Sequence, residues 1–220
     1  MQLADIMPML VEGTWDTLQM VLISTALGYL IGLPLGVLLT VTNKDGISPH
    51  PILYRVLDLI INVTRSVPFL ILLILIQPLT RLVVGKSYGT IATIVPLTVA
   101  AAPLIARMVE NSLKEVDHGV IEAAVSLGAS DFTIVRKVLL TEARTSLLVG
   151  ITIALGTILG YSAMAGVVGG GGLGDIAIRY GYYRYETEVM IITVVILILL
   201  MQILQWLGML LSRKIDRRRA

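Results

Sequence analysis

Four stretches of this sequence run for at least 20 residues without a charged side chain: Thr17 to Asn43, Ser87 to Ala106, Thr145 to Gly174 and Val189 to Ser212. A helix rises 1.5 Å per residue, so about 20 apolar residues cross the roughly 30 Å hydrocarbon core of a bilayer. A charge at mid-bilayer costs about 2.5 to 3.5 kcal/mol on insertion scales, which makes uninterrupted runs of this length spanning helices. The balance of 56% hydrophobic against 15% charged residues in 220 agrees, since soluble domains carry roughly 25% charged residues. A fifth span is read over residues 56–79, although Arg65 lies inside it and Pro68 and Pro78 punctuate it. The expectation is an all-α membrane protein with five transmembrane helices in one domain, 1–220, the spans lying near 17–42, 56–79, 87–109, 145–168 and 189–212. The first run is too long for a cleaved signal and follows Asp5, Glu12 and Asp16 rather than a basic leader.

Lys and Arg placement gives the orientation. With the N-terminus outside and five crossings, 13 of the 17 basic residues fall on the inner side, including Lys44, Arg107, Lys114, Arg136, Lys137, Arg144 and the tail Arg213 to Arg219. Only Arg81, Lys86, Arg179 and Arg184 fall outside. The tail reads as an electrostatic stop at an anionic lipid surface. Within the spans, Gly28, Gly32 and Gly36 form one stripe of small residues and Gly156 and Gly160 another. Glycines four apart share a helix face and permit close backbone approach; static packing explains them, and a sliding interface is the functional alternative. Pro34 and Pro96 are expected to kink their helices.

Between the third and fourth spans lies a polar island, residues 115–144, too polar to cross a membrane. Asp117 is placed to cap a helix ending near Leu127, Gly128 suits a left-handed closing position, and Ser130 with Asp131 starts a second helix through Arg136 and Lys137. Val120, Ala124 and Leu127 recur at helical spacing, and small residues at Ala123 and Ala124 allow a cleft to close over them. A folded handle of this kind is a docking surface for another protein, in the manner of a helix laid into a groove.

Glu122, Ala123, Ala124 and Gly128 resemble the E-A-A-x-x-x-G motif of bacterial ABC importer permeases. The family's following Ile-x-Leu-Pro stands here as Val138, Leu139, Leu140 and Thr141, so the proline break is missing. Arg65 to Phe69, Ile94 to Leu113 and Gly160 to Tyr183 are similar to the methionine-importer permease subfamily, with osmoprotectant and phosphonate permeases as alternatives. The resemblance implies a type I importer fold in the bacterial inner membrane whose island is a coupling helix. It implies transport by alternating access of methionine, either enantiomer or a close derivative. The implied partners are a second copy of the chain, two cytoplasmic ATPase subunits carrying ATP and Mg, a periplasmic or lipid-anchored substrate-binding protein, and membrane lipid; nucleic acid is not among them. It also places Met164, with Tyr161 and Ser162, at an outer gate, where two methionines would meet across a dimer axis and repack as the pore opens.

Other motifs are weaker. Gly169, Gly171 and Gly174 satisfy G-x-G-x-x-G, but no strand precedes them as a dinucleotide site requires; a tight or re-entrant turn buried in protein is expected. Gly85-Lys86-Ser87 lacks the first glycine of a phosphate loop, Thr80 standing there. The chain is therefore expected to hold no cofactor and no ATPase site, and not to be an enzyme. Gly172 to Asp175 carries the G-x-G-D pattern of intramembrane aspartyl proteases, which need a second carboxylate beside the first; Asp58 is the one other candidate near a span. A passive channel is the remaining alternative. Thr98 and Thr157 are candidate pore-lining groups, Arg107 and Glu110 are expected to pair within one helix, and Arg65 to bond neighbouring carbonyls. His50 and His118 have no metal-ligand company.

Overall fold

Gly28, Gly32 and Gly36 mark the line along which the longest helix meets its main neighbour. In the computed structural model, which describes residues 3–215, helix α1 (Leu3–Thr42) lies against α5 (Thr90–Lys114). A Cβ at Gly32 would stand 2.6 Å from the Ala102 carbonyl oxygen and 2.9 Å from Ile105 Cβ, and one at Gly36 2.6 Å from the Ala106 carbonyl oxygen. Ser24 Oγ donates to the Ile94 carbonyl at 3.3 Å in the same seam. Residue numbers rise together along both helices, so α1 and α5 run parallel. Both continue through their prolines, Pro34 and Pro96 included.

Parallel neighbours require the chain between them to return. It does so in pieces: α2 (Pro51–Ser66), α3 (Phe69–Leu75) and α4 (Gln77–Val84). The stretch read as a single span over 56–79 is broken, with α2 and α3 meeting at 103°. Pro68 forces the cause, because a residue before proline is driven out of helical conformation; Val67 is extended at φ −78°, ψ 124°. Pro78 sits in the first turn of α4, where no N–H is needed.

The remaining helices complete the bundle. After α6 (His118–Ser126) comes α7, residues 131–142, helical at both ends with a π-turn at Ile134–Leu139. Helix α8 (Arg144–Ala165) packs antiparallel to α5, joined to it by Ser146 Oγ to Ser112 Oγ at 2.9 Å, and is tied to α1 by Tyr29 OH, which donates to the Leu147 carbonyl at 3.0 Å. A buried glycine turn leads to α9, residues 172–182, and α10 (Thr187–Ile215) runs back along α8. A Cβ at Gly156 would meet Met201 there, whereas one at Gly160 would meet nothing within 4 Å among the described residues, so the second glycine stripe is only half used. Among the described residues, four helices are long and apolar enough to cross a bilayer, five if α2 and α3 count as one crossing.

One difference from the sequence reading lies at the start. Helix α1 begins at Leu3, so Glu12 and Asp16 are inside the helix rather than before it. Ile6 and Leu10 explain this, packing with Leu173, Ile176 and Val189 in a separate apolar cluster. Arg217, Arg218 and Arg219 of the basic tail lie outside the described residues.

Near the island end, α2 is tied to α5 by charge. Glu110 is 0% exposed. It accepts Arg107 Nη1 at 2.6 Å, Lys114 Nζ at 2.7 Å and Tyr54 OH at 3.4 Å. Arg107 Nη2 continues to Asp58 Oδ1 at 2.6 Å and Asn62 Oδ1 at 2.9 Å. The expected Arg107–Glu110 pair is present, but as part of a network between two helices.

Two stability outcomes follow, both measurable as thermal unfolding in detergent. Gly32→Val overpacks the α1–α5 seam and is expected to cost about 1 to 3 kcal/mol, while Gly160→Ala leaves the unfolding temperature unchanged. Glu110→Ala removes the shared acceptor of two cations and is expected to cost about 3 kcal/mol.

Candidate functional site

The island folds as its capping residues dictate. Asp117 accepts the Gly119 N–H at 2.7 Å and opens α6. Gly128 closes it at φ +74°, with its N–H on the Val125 carbonyl at 2.9 Å. Ser130 then caps α7, accepting the Thr133 N–H at 3.4 Å. No residue of α6 is buried. Glu122 and Ala123 are exposed, and Leu127, at 88% exposure, stands clear of the chain.

Ala124 departs from its expected place. It is half-buried and packs with Ile121 and Ala129 on the core cluster that contains Leu113, Val116, Ile134 and Leu139. The outward apolar face is instead Val120, Leu127 and Phe132, the last 71% exposed at the start of α7. Phe132 escaped the sequence reading because it lies past the turn, outside any single helical period. Its signal is a large aromatic two residues after a capping serine. Beside α6 a cavity of about 840 Å³ opens between Lys44 and Asp45 of the α1–α2 link and Lys114, His118, Glu122 and Val125.

Thr141 stands where the related motif has proline, and the chain turns there by other means. The π-turn spans Ile134–Leu139, Thr141 Oγ1 donates to the Arg136 carbonyl five residues back at 3.3 Å, and Ala143 separates α7 from α8. A widened turn re-aims a helix without removing a donor.

The three gate candidates are not brought to one surface. Met164 is 50% exposed on α8. Tyr161 is stacked flat on Phe69, ring centroids 4.5 Å apart and planes 1° off parallel. Ser162 is buried with its hydroxyl on the Leu159 carbonyl at 2.8 Å. Thr98 and Thr157 likewise donate to carbonyls four residues back. Arg65 is exposed and, among the described residues, makes no side-chain hydrogen bond, contrary to expectation. His50 caps α2, its Nδ1 accepting the Leu53 N–H at 3.3 Å.

The glycine turn is buried and bolted to two helices, as expected. Gly89 N–H donates to the Gly169 carbonyl at 2.9 Å, Thr93 Oγ1 to the Gly170 carbonyl at 3.0 Å, and Leu173 N–H to Thr17 Oγ1 at 2.9 Å. Asp175 follows, held by Arg179 Nε at 2.9 Å and Nη2 at 2.9 Å. Burial pushes its carboxyl above the usual range and Arg179 opposes the shift. Asp175 and Asp58 belong to separate ion pairs, each with its own arginine, and do not form the shared-proton dyad that aspartyl proteolysis needs.

The chain matches known proteins over nearly its full length. Residues 32–217 match the family model described as binding-protein-dependent transport system inner membrane component. A probable D-methionine transport system permease protein MetI of Vibrio cholerae is 51% identical over 96% of this chain and 93% of its own. The D-methionine transport system permease protein MetI of Escherichia coli is 53% identical over 72% of this chain and 73% of its own. Among solved structures, an inward-facing conformation of the MetNI methionine ABC transporter superposes with a TM-score of 0.96 at 49% identity, covering 99% of this chain and all of that one. An amino acid ABC transporter with histidines shares the fold at TM-score 0.79 and 23% identity, covering 96% of each chain. The chain belongs to the binding-protein-dependent transport system inner membrane component family, the membrane-embedded permeases of ABC importers.

Proposed function

We propose that this chain is the permease subunit of a methionine importer, carrying either enantiomer through a path shared with a second copy of itself. Two ATPase subunits grip the two islands from the cytoplasm, bringing the ATP and Mg that the permease does not hold, and a substrate-binding protein delivers cargo at the opposite end. The N-terminus lies outside and the C-terminus inside, because that orientation puts most Lys and Arg on the inner face. The segment 51–84 serves as the second of five crossings. The substrate assignment rests on the relatives named above.

The observation that carries the coupling role is the island itself. A helix capped at both ends, with no buried residue and with Leu127 and Phe132 directed away from the chain, has a docking face that none of the described residues covers. Its other face is packed through Ile121 and Ala124 on the cluster that runs through α5 and α8 to Ala165, beside Met164. A push on α6 therefore moves those spans as a body. Rocking of packed helices around a fixed route is the expected form of alternating access.

Gly128 provides the test. A Cβ there meets nothing within 4 Å, but the left-handed backbone at φ +74° disfavours branched residues. Gly128→Val is expected to lower uptake into vesicles at least about tenfold while insertion is retained, and Gly128→Asn, which tolerates this conformation, to keep most of it. Leu127→Asp is expected to abolish co-purification with the ATPase without altering the unfolding temperature. Full uptake by Gly128→Val and Leu127→Asp would remove the coupling role.

A further inference from the structure

The polar groups on α2 do not fit a helix that faces lipid. Asp58, Asn62 and Ser66 repeat every four residues and so share one face, with Arg65 beside them. Asn62 Nδ2 donates to Asp58 Oδ2 at 3.1 Å, and Ser66 Oγ to the Asn62 carbonyl at 2.8 Å. Arg107 of α5 closes the row through its Nη2, as described above. Asp58 and Arg107 keep 32% and 19% of their side-chain surface exposed, and Asn62, Arg65 and Ser66 are exposed. At 1.5 Å per residue, Asn62 lies about 17 Å and Ser66 about 22 Å along the helix from Pro51. Charged and amide groups inside a crossing segment, as 51–84 is proposed to be, face protein or water rather than hydrocarbon.

The helix break gives a second, independent sign. At Val67 the chain leaves helical geometry and turns by 103°, so the last carbonyls of α2 have no helical donor ahead of them. Irregular backbone at membrane depth is tolerated where it is buried in protein or lines a wet cavity. Within this chain the last turn of α2 stays largely exposed, which fits a wet cavity. Beyond the break the row ends at the apolar stack of Phe69 on Tyr161.

The charges at the foot of this row are laid out for a particular ligand. Glu110 is saturated by Arg107, Lys114 and Tyr54, and is fully enclosed. The partly exposed remainder is the Asp58–Arg107 pair itself, a carboxylate and a guanidinium 2.6 Å apart. A zwitterion matches them, its ammonium on Asp58 and its carboxylate on Arg107. We propose that Asp58, Asn62, Arg65, Ser66 and Arg107 line a water-filled inner stretch of the transport route, and that the Asp58–Arg107 pair receives the head group of a zwitterionic amino acid on its way out. The identity of the cargo rests on the methionine reading above; the wet seam does not.

The chain has no cysteine, so single cysteines report without background. Asn62→Cys, Ser66→Cys and, on the apolar side of α2, Ile60→Cys are made in the full chain with its ATPase. Inside-out vesicles are then treated with a cationic, membrane-impermeant methanethiosulfonate. Labelling at Asn62→Cys and Ser66→Cys is expected at least about tenfold faster than at Ile60→Cys, as for water against lipid exposure. Millimolar methionine is expected to slow labelling at Asn62→Cys about threefold, while methylthiopropylamine, which lacks the carboxylate, does not, the difference being a charge-assisted bond to Arg107. Adding Asp58→Asn to Asn62→Cys is expected to erase the protection. Labelling no faster than at Ile60→Cys overturns the wet seam. Equal slowing by both compounds, or by neither, overturns the zwitterion site. Methionine uptake by the unaltered chain and ATPase is measured in the same preparations: its absence with fast labelling would sink the substrate reading and leave the seam standing.

Discussion

The backbone contact between α1 and α5 is the constraint from which the remaining architecture follows. Three glycines bring the helices close enough that the α5 carbonyls of Ala102 and Ala106 sit where α1 side chains would otherwise be. Without a hydrophobic driving force between helices in lipid, such close approach is a main source of association energy. Because the pair is parallel, the chain must travel back between them. That return falls to the least regular segment, α2 to α4, and so the broken helix and its polar row are consequences of the pairing. The antiparallel α8 then fills the other side of α5, and α10 covers α8 while leaving most of its own surface open.

Polar groups in this apolar frame are mostly spent locally. Thr14, Thr40, Thr42, Thr98, Thr152 and Thr193 each donate to a carbonyl four residues back, which hides the hydroxyl without needing a partner helix. The exceptions carry the tertiary structure. Thr17 donates to Gly13 and accepts from Leu173, and Thr93 reaches both Gly89 and Gly170. These two threonines pin the glycine turn between α1 and α5, and so fix the end of α8 that carries Met164.

What the sequence makes legible here is whatever depends on local geometry. Asp117, Gly128 and Ser130 act within three residues of themselves, and the island's caps stand where their spacing puts them. The charge-free runs likewise are helices, since length and composition decide that outcome. Contacts between distant segments are a different matter. Nothing in the period of α2 announces that Asp58 will meet Arg107, 49 positions away, although the Asp58–Asn62–Ser66 repeat is visible once a polar face is sought. Ala124 was assigned outward by helical spacing, yet periodicity gives a face and not its direction; only Leu113, Val116 and Leu139 behind it settle which way it turns. The start of α1 was missed for the same reason, as Ile6 and Leu10 are held by residues more than 160 positions later.

Thr141, standing where the related motif has proline, bears on how the proposed coupling would work. Proline would break the helix by removing a donor and clashing with the preceding turn. Here a π-turn takes the place of that break, with the Ala143 N–H still on the Leu139 carbonyl and the Thr141 hydroxyl donating to the Arg136 carbonyl. Ile134 and Leu139, at the two ends of that turn, are both buried in the cluster shared with α5 and α8. The island is therefore packed on the core at both α6 and α7. In the proposed coupling role, motion taken up at Leu127 and Phe132 would be relieved elsewhere. The interruption at Val67–Pro68 is the place in the spans where the helix is already parted, and the Phe69–Tyr161 stack links that interruption to α8.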